Sequence, residues 1–130
     1  MVAEDKKLSR GLQRIYENVT TYQDGSSDTL EEIKQLQTMH DQNPDNLDIK
    51  EWLAFKLYSA GQYENAEGLF RELIVKSHRS GVQNFYLGNL LAKTGREPEA
   101  ILCWRQTVSL IPNDVKAKKA QARIDKSGQL

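Results

Sequence analysis

Residues 81–114 read GVQNFYLGNLLAKTGREPEAILCWRQTVSLIPND, and the architecture of the chain can be predicted from this stretch. Apolar residues recur three and four positions apart on both sides of Gly95, which is the spacing of amphipathic helices. Gly95 stands where the first helix must stop and reverse, a position that commonly needs a positive φ. Pro98 falls in the first turn of the second helix, where a missing N–H costs little. The stretch therefore predicts two helices joined by a glycine turn.

The preceding stretch, residues 47–80, repeats this pattern as LDIKEWLAFKLYSAGQYENAEGLFRELIVKSHRS. Leu53 precedes Leu87 by 34 residues, and other positions match at the same shift. These pairs are Leu57 and Leu91, Gly61 and Gly95, Ala66 and Ala100, Phe70 and Trp104, and Arg71 and Arg105. A fixed period of this length indicates a repeat architecture, in which each helix pair buries its apolar face against its neighbours.

In length and pattern the repeat resembles the tetratricopeptide repeat (TPR) family. Residues 81–114 carry the family's Leu, small residue, Gly, Ala, aromatic and closing Pro at Leu87, Gly88, Leu91, Gly95, Ala100, Trp104 and Pro112. Residues 47–80 keep Leu53, Ala54, Leu57, Gly61, Ala66 and Phe70, but have His78 where the closing proline would stand. The resemblance implies an all-α, right-handed solenoid of helical hairpins, here with three TPR-like repeats and a C-terminal capping helix.

The ends of the chain complete this interpretation as one domain. Residues 1–46 are predicted to be a degenerate first TPR-like helix pair, with helices over about 4–22 and 29–41. The second of these helices places Leu30, Ile33, Leu36 and Met39 on one face, and Glu32 stands where the family has a small alanine. Residues 47–80 and 81–114 are the second and third repeats. Residues 115–130 are predicted to form the cap and tail, with an apolar stripe of Ala117, Ala120 and Ile124.

The first helices of repeats two and three carry a second face that their own core does not use. Leu53, Leu57 and Ala60 form the core side of one helix, and Phe55 points roughly 160° away from it at about 100° per residue. In the family this second face lines a concave groove for a peptide or partner helix. The predicted groove residues are Trp52, Phe55, Ser59, Val82, Phe85, Tyr86, Asn89 and Lys93.

Two alternatives bear on this face. Its aromatic residues could serve only to pack helix against helix. One subfamily clamps the C-terminal carboxylate of chaperones with Asn, Lys and Arg, but the corresponding residues here are Trp52, Val82 and Tyr86, which supply no cation. We therefore expect a partly aromatic groove with a residual exposed apolar patch, and a partner with apolar anchors.

The sequence contains little that could support catalysis. His40, His78 and Cys103 are the residues that suggest metal or nucleophile chemistry, but they are scattered and fit no metal-ligand spacing. Cys103 lies between Leu102 and Trp104 on an apolar helix, which favours a structural role. We assign no catalytic residue, no metal and no cofactor, and we expect the chain not to be an enzyme.

Composition agrees with a soluble interaction module whose partner is another protein. Lys+Arg and Asp+Glu are both 18, so no strong overall field draws the chain to nucleic acid or an anionic membrane. The start has no signal-peptide pattern and no run of about 18 apolar residues occurs, which predicts a cytoplasmic location without a transmembrane segment. The expected role is that of a scaffold, adaptor, chaperone-like binder or assembly factor.

Two other functions stay open from the sequence. The chain could be a regulatory TPR domain of a larger enzyme or of a membrane-anchored protein. The cations Lys116, Lys118, Lys119, Arg123 and Lys126 could instead bind nucleic acid or anionic lipid, although a solvated capping helix explains them as well.

Overall fold

The computed structural model describes residues 27–127, and this part of the chain is helical with no β-strand. Its helices are α1 (Ser27–Gln42), α2 (Leu47–Ser59), α3 (Tyr63–Lys76), α4 (Ser80–Lys93), α5 (Glu97–Leu110) and α6 (Val115–Ser127). The all-α prediction is confirmed for these residues, and the predicted helix over 4–22 lies outside them. α3 begins 34 residues before α5, since they start at Tyr63 and Glu97.

The helices belong to two compact units, the first ending at Gln62 and the second beginning at Tyr63. The described part of the first unit contains α1 and α2, and the second unit contains α3 to α6. The boundary falls at the glycine turn between the two helices of residues 47–80. The organisation into three repeats within one domain stays a prediction.

In the first unit α1 packs against α2. Leu36 on α1 and Ile49 and Leu53 on α2 are fully buried or nearly so. The predicted apolar face of α1 is partly wrong, because Leu30 is 47% exposed, whereas Thr29 and Glu32 are buried. Thr29, Glu32 and Leu36 are spaced by three and four residues, so the buried stripe is rotated by about one residue relative to the predicted one.

In the second unit consecutive helices pack against each other from α3 to α6. Their core consists of the apolar residues that match at the 34-residue shift together with their neighbours. It includes Ala66, Phe70, Leu73, Leu87, Leu90, Leu91, Ala100 and Trp104. α4 and α5 approach each other closely at Gly88. A Cβ added there would lie 2.6 Å from two atoms of the Trp104 indole and 3.1 Å from the Ala100 carbonyl oxygen.

The two glycine turns have the same geometry, although they lie in sequence stretches that differ at most positions. Gly61 has a φ of 82° and Gly95 a φ of 84°, so the predicted positive φ is confirmed at both. The amide of Gln62 donates to the Leu57 carbonyl at 2.9 Å, and that of Arg96 donates to the Leu91 carbonyl at 2.8 Å. Each bond spans five residues across a left-handed glycine, which is the Schellman ending of a helix.

The last helix begins at a side-chain cap, and most of its predicted apolar stripe is buried. The Asp114 carboxylate accepts a hydrogen bond at 2.8 Å from the backbone amide of Lys116. This bond gives a partner to one of the N–H groups that have no acceptor within the first turn of α6. Ala117 and Ala120 are buried and Ile124 is half-buried. α6 packs mainly on α5 and also reaches α4.

Candidate protein-interaction surface

The predicted groove residues are divided between the two units. Trp52 and Phe55 are half-buried on α2 of the first unit, and Ser59 at the end of that helix is exposed. The remaining five lie on α4 of the second unit. Among them Val82 and Tyr86 are half-buried, Phe85 and Asn89 are buried, and Lys93 is exposed. The structure thus brings the five α4 residues together on one helix of the second unit.

An arginine from α6 covers the middle of this α4 surface. The Arg123 guanidinium carbon lies 4.9 Å from the centre of the Phe85 ring, within the range of a cation–π contact. Its Nη1 also donates to the side-chain oxygen of Asn89 at 2.5 Å. The same oxygen accepts a hydrogen bond at 3.0 Å from the indole N–H of Trp104 on α5. Asn89 therefore joins three helices and is not a freely accessible groove residue.

The contact of Arg123 with Phe85 and Asn89 was not predicted, although the sequence spacing indicates it. Arg123 lies 34 residues after Asn89, so the repeat period that relates Leu53 to Leu87 in the sequence also relates these two contacting residues. A helix that continues the repeat is expected to lie beside the previous first helix and to contact it at the same register.

The aromatic side chains of α4 contact one another and α3. Tyr86 stands edge-on to Phe85 with 5.3 Å between ring centres. It also lies nearly parallel to Phe70 of α3, at 6.3 Å and an interplanar angle of 10°. Offset and edge-to-face arrangements of this kind stabilise helix packing. Large apolar residues with greater exposure lie elsewhere in the described chain, at Leu30, Val75, Leu102, Leu110 and Val115.

The accessible part of the α4–α6 surface is cationic. α4 contains no acidic residue and ends at the exposed Lys93. α6 contributes Lys116, Lys119, Arg123 and Lys126 on the side that contacts Phe85, and its one acidic residue is Asp125. Chemically, this surface can accept carboxylate or phosphate groups and apolar contacts from a partner at its edges.

Acidic and basic side chains form ion pairs between α3 and the start of α5. Glu67 accepts hydrogen bonds from Arg96 at 2.5 and 3.1 Å and from Arg71 at 2.9 Å. Arg71 extends the network to Glu99, at 3.3 Å. The hydrogen bonds from Arg96 hold the pKa of Glu67 below its usual value, although partial burial opposes this effect.

The lowered pKa of Glu67 predicts a pH-dependent contribution to stability. A carboxyl group whose pKa falls on folding stabilises the fold above its unfolded-state pKa, about 4.3 for Glu. We expect the difference in unfolding free energy between the wild-type protein and Glu67→Gln to be present at neutral pH and to shrink as the pH falls through the lowered pKa. Urea unfolding measured from pH 7 downward tests this.

Arg96→Gln is the matched control for that series. It should remove most of the same pH dependence and leave the part that the hydrogen bond from Arg71 supplies. The effect of the double variant should be smaller than the sum of the two single effects, because both changes break the Glu67–Arg96 interaction. A difference that persists unchanged at a pH below the lowered pKa of Glu67 would show that Glu67 acts through packing and not through its charge.

The candidate metal or nucleophile residues are not assembled into a site. His40 lies on α1 of the first unit, whereas His78 is exposed between α3 and α4 and Cys103 is half-buried on α5. Burial raises the pKa of the Cys103 thiol, so a smaller fraction of it is the reactive thiolate at neutral pH. Among residues 27–127 no group of three or more His, Cys, Asp or Glu residues is placed to hold a metal ion.

Comparison with known proteins identifies no family for this chain. No protein-family model matches it, and a search of curated proteins finds none with significant similarity. Within the described residues no helix has the length and apolar character that crossing a bilayer would require.

Proposed function

We propose that the chain is a TPR-type interaction module that binds a segment or helix of another protein. In this proposal residues 1–46, 47–80 and 81–114 are three repeats of a right-handed solenoid, and residues 115–130 form its cap. The support is structural equivalence at a 34-residue shift. Gly61 and Gly95 end their helices in the same way, and the paired core leucines, alanines and aromatics are buried at both positions.

The observation that carries the binding function is a half-exposed apolar face on the first helix of the second and third repeats, with an aromatic pair on α2 of the first unit and an aliphatic residue on α4 of the second. Trp52, Phe55 and Val82 keep part of their surface accessible, while Leu53 and Leu87 of the same helices are buried in the core. Apolar side chains that remain accessible in a helical repeat are available to anchor a partner. Roles as an adaptor, a chaperone-like binder or an assembly factor are all compatible with such a face.

Affinity capture with paired variants tests the proposed function. The intact chain is immobilised and proteins from a lysate of the source organism are captured and quantified by mass spectrometry. We expect Phe55→Ser with Val82→Ser to lose the specifically captured partner, because this variant removes apolar anchors from the proposed groove. Circular dichroism and thermal unfolding establish that the variant is folded.

The matched control is Val75→Ser with Leu102→Ser, which removes two apolar side chains that are 82% and 61% exposed on α3 and α5. This control should capture the partner normally. If it loses the partner while the groove variant retains it, binding uses α3 and α5, and the proposed groove is wrong.

A further inference from the structure

A row of cations runs along α6 on the side that contacts α4. Lys116, Lys119, Arg123 and Lys126 are separated by three, four and three residues, so they fall within about 80° of the helix circumference. The row is about 15 Å long, because ten residues of helix rise by that distance. Lys119, Arg123 and Lys126 are exposed and Lys116 is half-buried. We call these four residues the basic row.

Arg123 fixes where the basic row lies in the second unit. Its contacts with Phe85 and Asn89 place the row beside α4. Lys93 is one helical turn beyond Asn89 on α4, so it adds an exposed cation to the same surface. Asp125 lies at least about 100° around the helix from the row and accepts a hydrogen bond from Gln121.

The lysines of this surface have no ion pair among the described residues, unlike Arg71 and Arg96 near the start of α5. On α3 and α5 Glu67 and Glu99 are paired with arginines. Lys93, Lys116, Lys119 and Lys126, by contrast, have no ion pair with any residue between 27 and 127. Like charges three or four residues apart on a helix repel each other, so the row destabilises α6 until an anion neutralises it.

We infer that the basic row binds an acidic segment of a partner protein. This inference rests on the proposed function and specifies the partner's chemistry at the α6 end of the surface. A helix with Asp or Glu at every third or fourth position has the same repeat as the row, so carboxylates and cations can pair along about three turns. Val82 is half-buried on α4, two helical turns before Asn89 on the same face, and can contact an apolar side chain of the same partner.

A polynucleotide fits this surface less well than an acidic protein. Proteins that hold single-stranded nucleic acid combine a basic groove with aromatic residues on which bases stack. The aromatic residue in contact with the row is Phe85, which is 5% exposed and covered by Arg123. The adjacent Tyr86 already stacks on Phe70 of α3. The chain as a whole has no net charge to attract a polyanion from a distance.

Fluorescence anisotropy with a defined peptide tests the inference. The probe is a labelled amphipathic peptide that carries Glu at every third or fourth position and Leu between them, and a Gln-for-Glu version serves as its reference. We expect the acidic peptide to bind the intact chain more tightly than the reference, and the difference to shrink as salt screens the charges. Lys116→Glu with Lys119→Glu should weaken binding of the acidic peptide by about tenfold or more.

The control variant is Lys118→Glu with Lys76→Glu, which changes the net charge equally at exposed lysines outside the row. It should retain most of the affinity. Equal losses in both variants would reveal unspecific attraction, and equally tight binding of duplex DNA or anionic vesicles at the row would reveal a general polyanion site. Either result, or no binding of the acidic peptide, overturns the inference. The proposed function would still stand if the Phe55 and Val82 variant loses its partner in the capture experiment.

Discussion

Replacing Glu32 by alanine should lower the unfolding free energy by about 3–5 kcal/mol, because it removes the acidic partner of a buried lysine. The Lys56 side chain is 1% exposed and that of Glu32 is 9% exposed, and their charged atoms lie 3.3 Å apart between α1 and α2. Among residues 27–127 neither carboxylate oxygen of Glu32 has a hydrogen-bond partner. Removing one member of such a pair leaves the other charge buried with less electrostatic compensation.

The second unit suggests how to remove the pair without this penalty. At a 34-residue shift Glu32 corresponds to Ala66 and Lys56 to Leu90, both fully buried. Glu32→Ala with Lys56→Leu therefore gives the first unit the residues that already occupy these positions in the second. We expect the double variant to be at least as stable as the wild-type protein, because well-packed apolar residues often replace buried ion pairs without loss.

Urea unfolding of both single variants and of the double variant completes a double-mutant cycle. Lys56→Leu alone should also destabilise, since it leaves Glu32 buried and unpaired. The ion-pair interpretation fails if the effects of the two single changes add without coupling. A loss of less than about 1 kcal/mol in Glu32→Ala would show that Lys56 reaches water or another partner when Glu32 is absent.

The helices and turns were predictable because each depends on residues close in sequence. Gly61 and Gly95 meet a local requirement for a positive φ, and Asp114 caps the helix that begins at the next residue. The buried pair was not predictable in this way. Glu32 was recognised as a departure from the alanine of the family, but its partner Lys56 lies on the next helix, and a lysine in a helix is ordinarily exposed.

The sequence predicted which face of α4 carries the candidate surface residues. It did not predict how far each of them is exposed. Phe85 and Asn89 do lie on the predicted side of α4, yet Arg123 covers both. Helical periodicity assigns a residue to a face, whereas burial depends on which other helix packs there. In consequence Asn89 is a poor position for a binding variant, because its replacement would leave the Trp104 N–H and the Arg123 guanidinium without their acceptor.

Gly88→Ala should destabilise the second unit by about 1–3 kcal/mol, whereas Gly68→Ala should stabilise it by about 0.5–1 kcal/mol. Both glycines lie inside helices, so alanine gains the same helix propensity at each. A Cβ at Gly68 meets nothing within 4 Å, but at Gly88 it lies 2.6 Å from two atoms of the Trp104 indole. Trp104 is only 4% exposed, so its ring cannot move away without disturbing the core and its hydrogen bond to Asn89. Urea unfolding of the two variants should give changes of opposite sign, together with altered tryptophan fluorescence in Gly88→Ala only. Stabilisation by both would mean that α4 and α5 do not approach each other closely at this position.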